Sequence, residues 1–180
     1  VALDEEIRLC HQGSADYGRP WITAWGRPAR LRQWAERQLP QIATVTFEEI
    51  ERWRVEATRP RVDAEITDTT NPLEVGIPES VAINKGCYPG QEVIEKISAL
   101  GAPAKRLAKI QGQGTPPRPG DKLLNEAEPA LEVGEITSVT SQGQDFSALA
   151  IVRKIHAKEG LPVKLASGTK AQVTRVAPYA

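Results

Sequence analysis

The sequence predicts an α+β fold: an N-terminal α/β layer with helices on one face, followed by a small all-β domain, a barrel or a sandwich. Three observations carry this. Up to about residue 56, short apolar runs alternate with two stretches of helical period. After residue 105 helical period disappears, and short alternating runs recur at roughly 8–12 residue spacing, separated by Gly/Pro-rich turns. Between them lies an aperiodic stretch, closed by KGCYPGQE and a third helical run.

Taken in order, IRLCH (7–11) reads as a short strand and GSADYGRP (13–20) as turn material. WITAW (21–25) reads as a second strand. Pro28 opens a helix whose Leu31, Trp34, Ala35 and Leu39 share a face, with Pro40 beyond its end. Thr46 is an N-cap for FEEIERWRVE, and Glu49 completes a capping box. Residues 57–84 read as a long irregular connection, which in a compact domain points to a site or an interface. Gly90 ends a turn, after which Val93, Ile94, Ile97 and Leu100 are spaced as a core face, with Glu92 and Lys96 as an i,i+4 pair. AKRLAKIQG, DKLLN, EVGEITSVTS, FSALAIVRKI, LPVKLA and AQVTRVAP supply five or six short strands of a small barrel or sandwich. The predicted domains are 1–103 and 104–180.

Lys and Arg number 23, Asp and Glu also 23, so the formal charge is zero and nucleic acid is not an expected partner. Residues 101–180 are mildly basic and 61–100 acidic. Cys10 and Cys87, far apart, form no secreted disulfide framework, which points to a reduced, cytoplasmic setting. No apolar run is long enough to span a membrane. The absence of Met points to a processed product or part of a longer protein.

The residues with chemistry cluster in Lys85–Glu92. Cys87 precedes a helix N-terminus and stands two residues from Lys85; both features favour a thiolate. A buried, inert Cys is the alternative. His11 and His156 are the two histidines, and neither has a base-orienting neighbour in sequence, so a hydrolase of the Ser or Cys type is disfavoured. No Cys/His clustering suggests a structural metal. GQG and SGTK do not match a phosphate loop. Arg52, Arg54, Arg59 and Arg61 suit planar carboxylates or a salt-bridged helix face, and Glu74 suits ligand N–H groups or plain solvent.

Lys85-Gly86-Cys87-Tyr88-Pro89-Gly90-Gln91-Glu92, with Lys96 closing the run, resembles the K-G-C-[FY]-x-G-Q-E-x-x-x-[RK] signature of the YgfZ-like folate-binding proteins. These are relatives of the glycine-cleavage T-protein, an aminomethyltransferase, and the resemblance implies a partial ferredoxin-like α/β region followed by a small C-terminal antiparallel β-barrel. Arg54, Val55, Glu56, Pro60, Pro72 and Glu74 are similar to the family's R-[IV]-E-x-G-x-P and P-x-E stretches, with Thr58 where Gly is usual, which suggests a less tight turn. The resemblance implies a tetrahydrofolate-dependent accessory protein for assembly or repair of iron–sulfur enzymes, or alternatively an aminomethyltransferase-like enzyme. It implies Cys87 and Lys85 as the reactive residues. It implies Glu74, Arg54, Tyr88, Gln91 and Glu92 as folate contacts. The implied partners are folate, iron–sulfur client proteins and a first domain of the same protein, with no DNA and no membrane.

Overall fold

The structure is a computed structural model that describes residues 2–4, 7–12, 21–38, 43–82 and 85–179. It has two compact units, residues 1–53 and 54–180. The division falls inside a helix rather than at 103/104, the point after which the barrel strands begin.

The first unit opens with a three-stranded antiparallel sheet in the order β1 (Ala2–Asp4), β2 (Ile7–Gln12), β3 (Trp21–Gly26). The helices α1 (Pro28–Gln38) and α2 (Phe47–Glu56) follow. The predicted turn at 13–20, and Leu39 and Pro40, lie outside the described residues. The strands thus precede both helices instead of alternating with them. The start of α2 is the capping box that the sequence predicts. Glu49 N–H donates to Thr46 Oγ1 (3.2 Å) and Thr46 N–H donates to Glu49 Oε2 (2.7 Å). The backbone and hydroxyl of Thr46 hold the Glu49 carboxyl below its ordinary range.

The end of α2 is a Schellman motif. Arg59 N–H donates to Arg54 O and Thr58 N–H to Val55 O, each at 3.0 Å. Thr58 therefore occupies the position where glycine is usual, and its φ is 59°. The turn is as tight as a glycine would make it, contrary to the looser turn expected from the substitution. The cost is a β-branched residue in left-handed geometry. Its buried hydroxyl also has no hydrogen-bond partner among the described residues. Thr58→Gly is expected to stabilise residues 54–180 by about 1 kcal/mol, read as a raised denaturation midpoint. A lowered midpoint would show that the Thr58 methyl packing outweighs the strain.

Residues 57–82 form successive turns, with an isolated bridge between Val62 and Ile66 and a single 3₁₀ turn at Pro78–Ser80. They are not loosely attached. Glu65, Leu73 and Val75 are buried, and Leu107 N–H donates to Glu74 O at 2.7 Å. Helix α3 (Gln91–Ala99) follows, entered through Gly90 at φ 85°. Its expected core face is only half realised. Ile94 is buried and Ile97 half-buried, but Val93 and Leu100 are exposed. The i,i+4 contact on this helix runs from Gln91 Nε2 to Glu95 Oε1 (2.7 Å), not between Glu92 and Lys96.

The barrel comprises β4 (Lys105–Gln113), β5 (Lys122–Asn125), β6 (Glu132–Gln142), β7 (Asp145–Arg153), β8 (Pro162–Leu165) and β9 (Lys170–Val176). All pairings are antiparallel, and the strands close in the order β4-β7-β6-β5-β8-β9. Phe146, Ala148, Ala150 and Val152 of β7 fill the interior with Ile110, Leu123, Ile136, Val163 and Val173. The opposite face of β7 is also covered, because Leu149 packs with Val55, Leu107 and Ala177 in a second cluster. Residues buried on both faces explain why FSALAIV reads as a near-continuous apolar run.

Candidate functional site

The Lys85–Glu92 turn lies directly before α3. Gly90 O accepts from Val93 N–H (3.1 Å) and Ile94 N–H (3.3 Å), and Tyr88 O accepts from Gln91 N–H (3.2 Å). These bonds fix the path of the turn. The Lys85 ammonium lies over the Tyr88 ring, 4.7 Å from its centroid, a cation–π contact. Cys87 is an exposed free thiol, so the buried, inert alternative does not hold for it. Cys10 is likewise exposed, on β2. Glu92 is exposed, and Tyr88 and Gln91 are half-buried.

Glu74 lies elsewhere in the chain's turns. Asn71 N–H donates to its Oε2 at 3.3 Å, and Glu74 N–H returns a bond to Asn71 O at 2.9 Å. Among the described residues nothing donates to its Oε1, and no hydrogen bond joins Glu74 to Lys85, Cys87, Tyr88 or Gln91.

Arg54 is 3% exposed and its guanidinium is committed inside the second unit. Nη1 donates to Arg59 O (2.8 Å) and Glu65 Oε2 (3.1 Å), and Nη2 donates to Ser138 Oγ (2.7 Å). Burial is the physical reason for these partners. A desolvated guanidinium needs a buried carboxylate, and Glu65 supplies it.

Glu65, Thr137 and Ser138 are the residues that sequence reasoning missed. The Glu65 carboxylate is fully buried, yet each oxygen accepts twice. Oε1 accepts from Ser138 Oγ (2.6 Å) and Thr137 Oγ1 (2.7 Å); Oε2 accepts from Arg54 and from Arg61 N–H (3.0 Å). Adjacent residues of a strand ordinarily point to opposite faces. Here the β6–β7 register slips between Ile136 and Ser138, so Thr137 is the extra residue of a bulge. That slip lets both hydroxyls reach one carboxylate oxygen.

A second polar group lies alongside on the barrel. Ser147 Oγ donates to Glu56 Oε1, and Lys109 Nζ lies 3.0 Å from Glu56 Oε2. Burial pushes the Glu56 carboxyl up. The Ser147 hydroxyl and the Lys109 ammonium together outweigh it and hold the group below the usual glutamate range. Among the described residues no group of three or more His, Cys, Asp or Glu is arranged to hold a metal ion.

No protein-family model matches the chain. A solved structure of the glycine cleavage system aminomethyltransferase T from Bartonella henselae superposes with a TM-score of 0.78. The match covers 98% of this chain and 50% of that one, at 18% identity. The fold is that of the glycine-cleavage T-protein. A chloroplastic protein of Arabidopsis thaliana, named as a transferase, is 30% identical over 131 residues, 72% of this chain and 29% of its own length. The chain therefore spans half of the T-protein structure and under a third of the curated relative. No helix among the described residues is long and apolar enough to cross a membrane.

Proposed function

We propose that this chain is a tetrahydrofolate-binding accessory protein of the YgfZ-like kind, supporting assembly or repair of iron–sulfur enzymes. The observation that carries the reading is the exposed Cys87 thiol, held in a fixed turn beside Lys85 and inside the KGCYPGQE run, on a T-protein fold.

The residues fit a folate in their chemistry. Glu74 keeps one carboxylate oxygen available for the N–H groups of a pterin. Lys85 offers an exposed ammonium to a glutamyl carboxylate, and Tyr88 an aromatic surface. Arg54 is removed from this set by its burial. Gln91 and Glu92 shape the entry to α3. Bound folate supplies a one-carbon carrier. Cys87 supplies an accessible sulfur that can act as nucleophile or as soft ligand to a client's iron.

Calorimetric titration of tetrahydrofolate monoglutamate into the chain tests the reading. Binding is expected, and Glu74→Gln is expected to weaken it by about tenfold or more, since hydrogen bonds to a charged group contribute about 1.5–3 kcal/mol. Cys87→Ser is expected to melt with the parent chain and to bind folate as the parent does, while failing to restore iron–sulfur enzyme activity in cells. No heat of binding, or a large loss of stability in Cys87→Ser, would overturn the reading. Aminomethyl transfer is the second reading, suggested by the name of the T-protein structure whose fold this chain shares. Folate-dependent release of ammonia from an aminomethyl donor in the presence of this chain would replace the first reading with it.

A further inference from the structure

Three cross-strand pairs in the barrel place cation opposite cation: Lys105 with Arg153, Lys109 with Arg175, and Lys164 with Lys170. Like charges directly opposite one another destabilise a sheet. In two of the pairs the protein supplies the counter-charge. Lys109 has Glu56 at 3.0 Å, and Lys170 has Glu126 at 2.6 Å. The third is left unanswered. Neither Lys105 nor Arg153 has an acidic partner among the described residues, and both are exposed.

A third cation adds to this pair. Lys154 follows Arg153, its side chain exposed and also without an acidic partner among the described residues. Its N–H donates to Ala104 O at 2.9 Å, which ties its backbone to the residue before Lys105. The three residues thus lie together along the chain path where β4 begins and β7 ends, Lys105 and Arg153 as register partners and Lys154 on the 3₁₀ turn that follows. Register partners present their side chains on the same face of a sheet, so Lys105 and Arg153 point outward together.

We propose that Lys105, Arg153 and Lys154 form a binding site for a short chain of carboxylates, the oligo-γ-glutamyl tail of a folate. An Arg fork pairs with one carboxylate in two-point fashion, and the two ammonium groups take its neighbours as point charges. Three neighbouring cations match a short oligo-anion better than a nucleic acid, whose binding needs many phosphate contacts. The choice of a glutamyl tail rests on the folate reading above; the anion site itself does not.

The test uses the whole chain and two independent arms. In the first, free γ-linked pentaglutamate and inorganic tripolyphosphate are titrated at low salt while backbone amide NMR shifts are followed. Saturable shifts at Lys105, Arg153 and Lys154 are expected with pentaglutamate. They should vanish in Lys105→Ala/Arg153→Ala and weaken strongly at about 0.15 M salt. No shifts with pentaglutamate, or shifts with tripolyphosphate alone, would overturn the proposal. In the second arm, tetrahydrofolate pentaglutamate is compared with the monoglutamate. A gain of about tenfold, abolished in the double variant, is expected if each exposed ion pair contributes up to about 1 kcal/mol. Equal affinity for the two lengths would overturn it. Failure of the monoglutamate to bind, with pentaglutamate shifts intact, would overturn the folate reading and leave the anion site standing.

Discussion

Arg54→Ala is expected to cost residues 54–180 about 3–5 kcal/mol, the usual penalty for leaving a buried charge without its partner. The Glu65 carboxylate has no solvent to fall back on, since its exposure is zero. Loss of the guanidinium also leaves Ser138 Oγ and Arg59 O short of a donor. Glu65→Ala is expected to cost about as much, because it takes an acceptor from Arg54, Thr137, Ser138 and the Arg61 N–H at once. The double variant should cost clearly less than the sum of the two, since removing both charges ends the desolvation problem. Urea denaturation of the four proteins decides this. Strictly additive losses would show that the two side chains contribute separately and that the ion pair is not the link between residues 54–65 and β6.

Gly76→Ala should be the most damaging exchange of a single glycine in the turns before α3. Gly76 has φ +77°, a conformation that costs an alanine about 1–2 kcal/mol. A Cβ built there also collides with the Cβ of Ala177. Neither neighbour is free to withdraw. Ala177 N–H donates to Leu107 O at 2.9 Å, and Leu107 N–H donates to Glu74 O at 2.7 Å, so both segments are pinned to the same β4 residue. Overpacking of this sort adds about 1–3 kcal/mol. A combined Gly76→Ala/Ala177→Gly protein should regain the collision share and keep the backbone share. Thermal melting that shows no recovery would assign the whole loss to φ, and a neutral Gly76→Ala would show that the segment shifts freely.

Much of the local architecture was legible in the sequence because its causes are local. Thr46 and Glu49 stand three residues apart, and their reciprocal bonds need nothing beyond α2 itself. The Pro28 start of α1, the Gly90 entry to α3 and the run of short strands after residue 105 follow from turn chemistry and side-chain period in the same way, while their closure into a barrel does not. The KGCYPGQE run was legible too, as a turn before a helix carrying a thiol and a cation.

What the sequence could not carry is anything whose partner lies far along the chain. Glu65 looks like one more surface carboxylate in an irregular stretch, since its hydroxyl donors stand 72 and 73 residues away. Strand alternation would also have put Thr137 and Ser138 on opposite faces, and only the bulge in β6 turns both to Glu65. Whether Arg54 meets a carboxylate of a ligand or of its own chain was open for the same reason: its burial is set by the barrel. The apolar spacing of Val93 and Leu100 fixed a helix but not what covers it. Whether Lys105 is answered by an acid was decided only when β4 and β7 came into register. Period, caps and turns are short-range properties of the chain; burial, register and the pairing of charges arise only when distant segments meet.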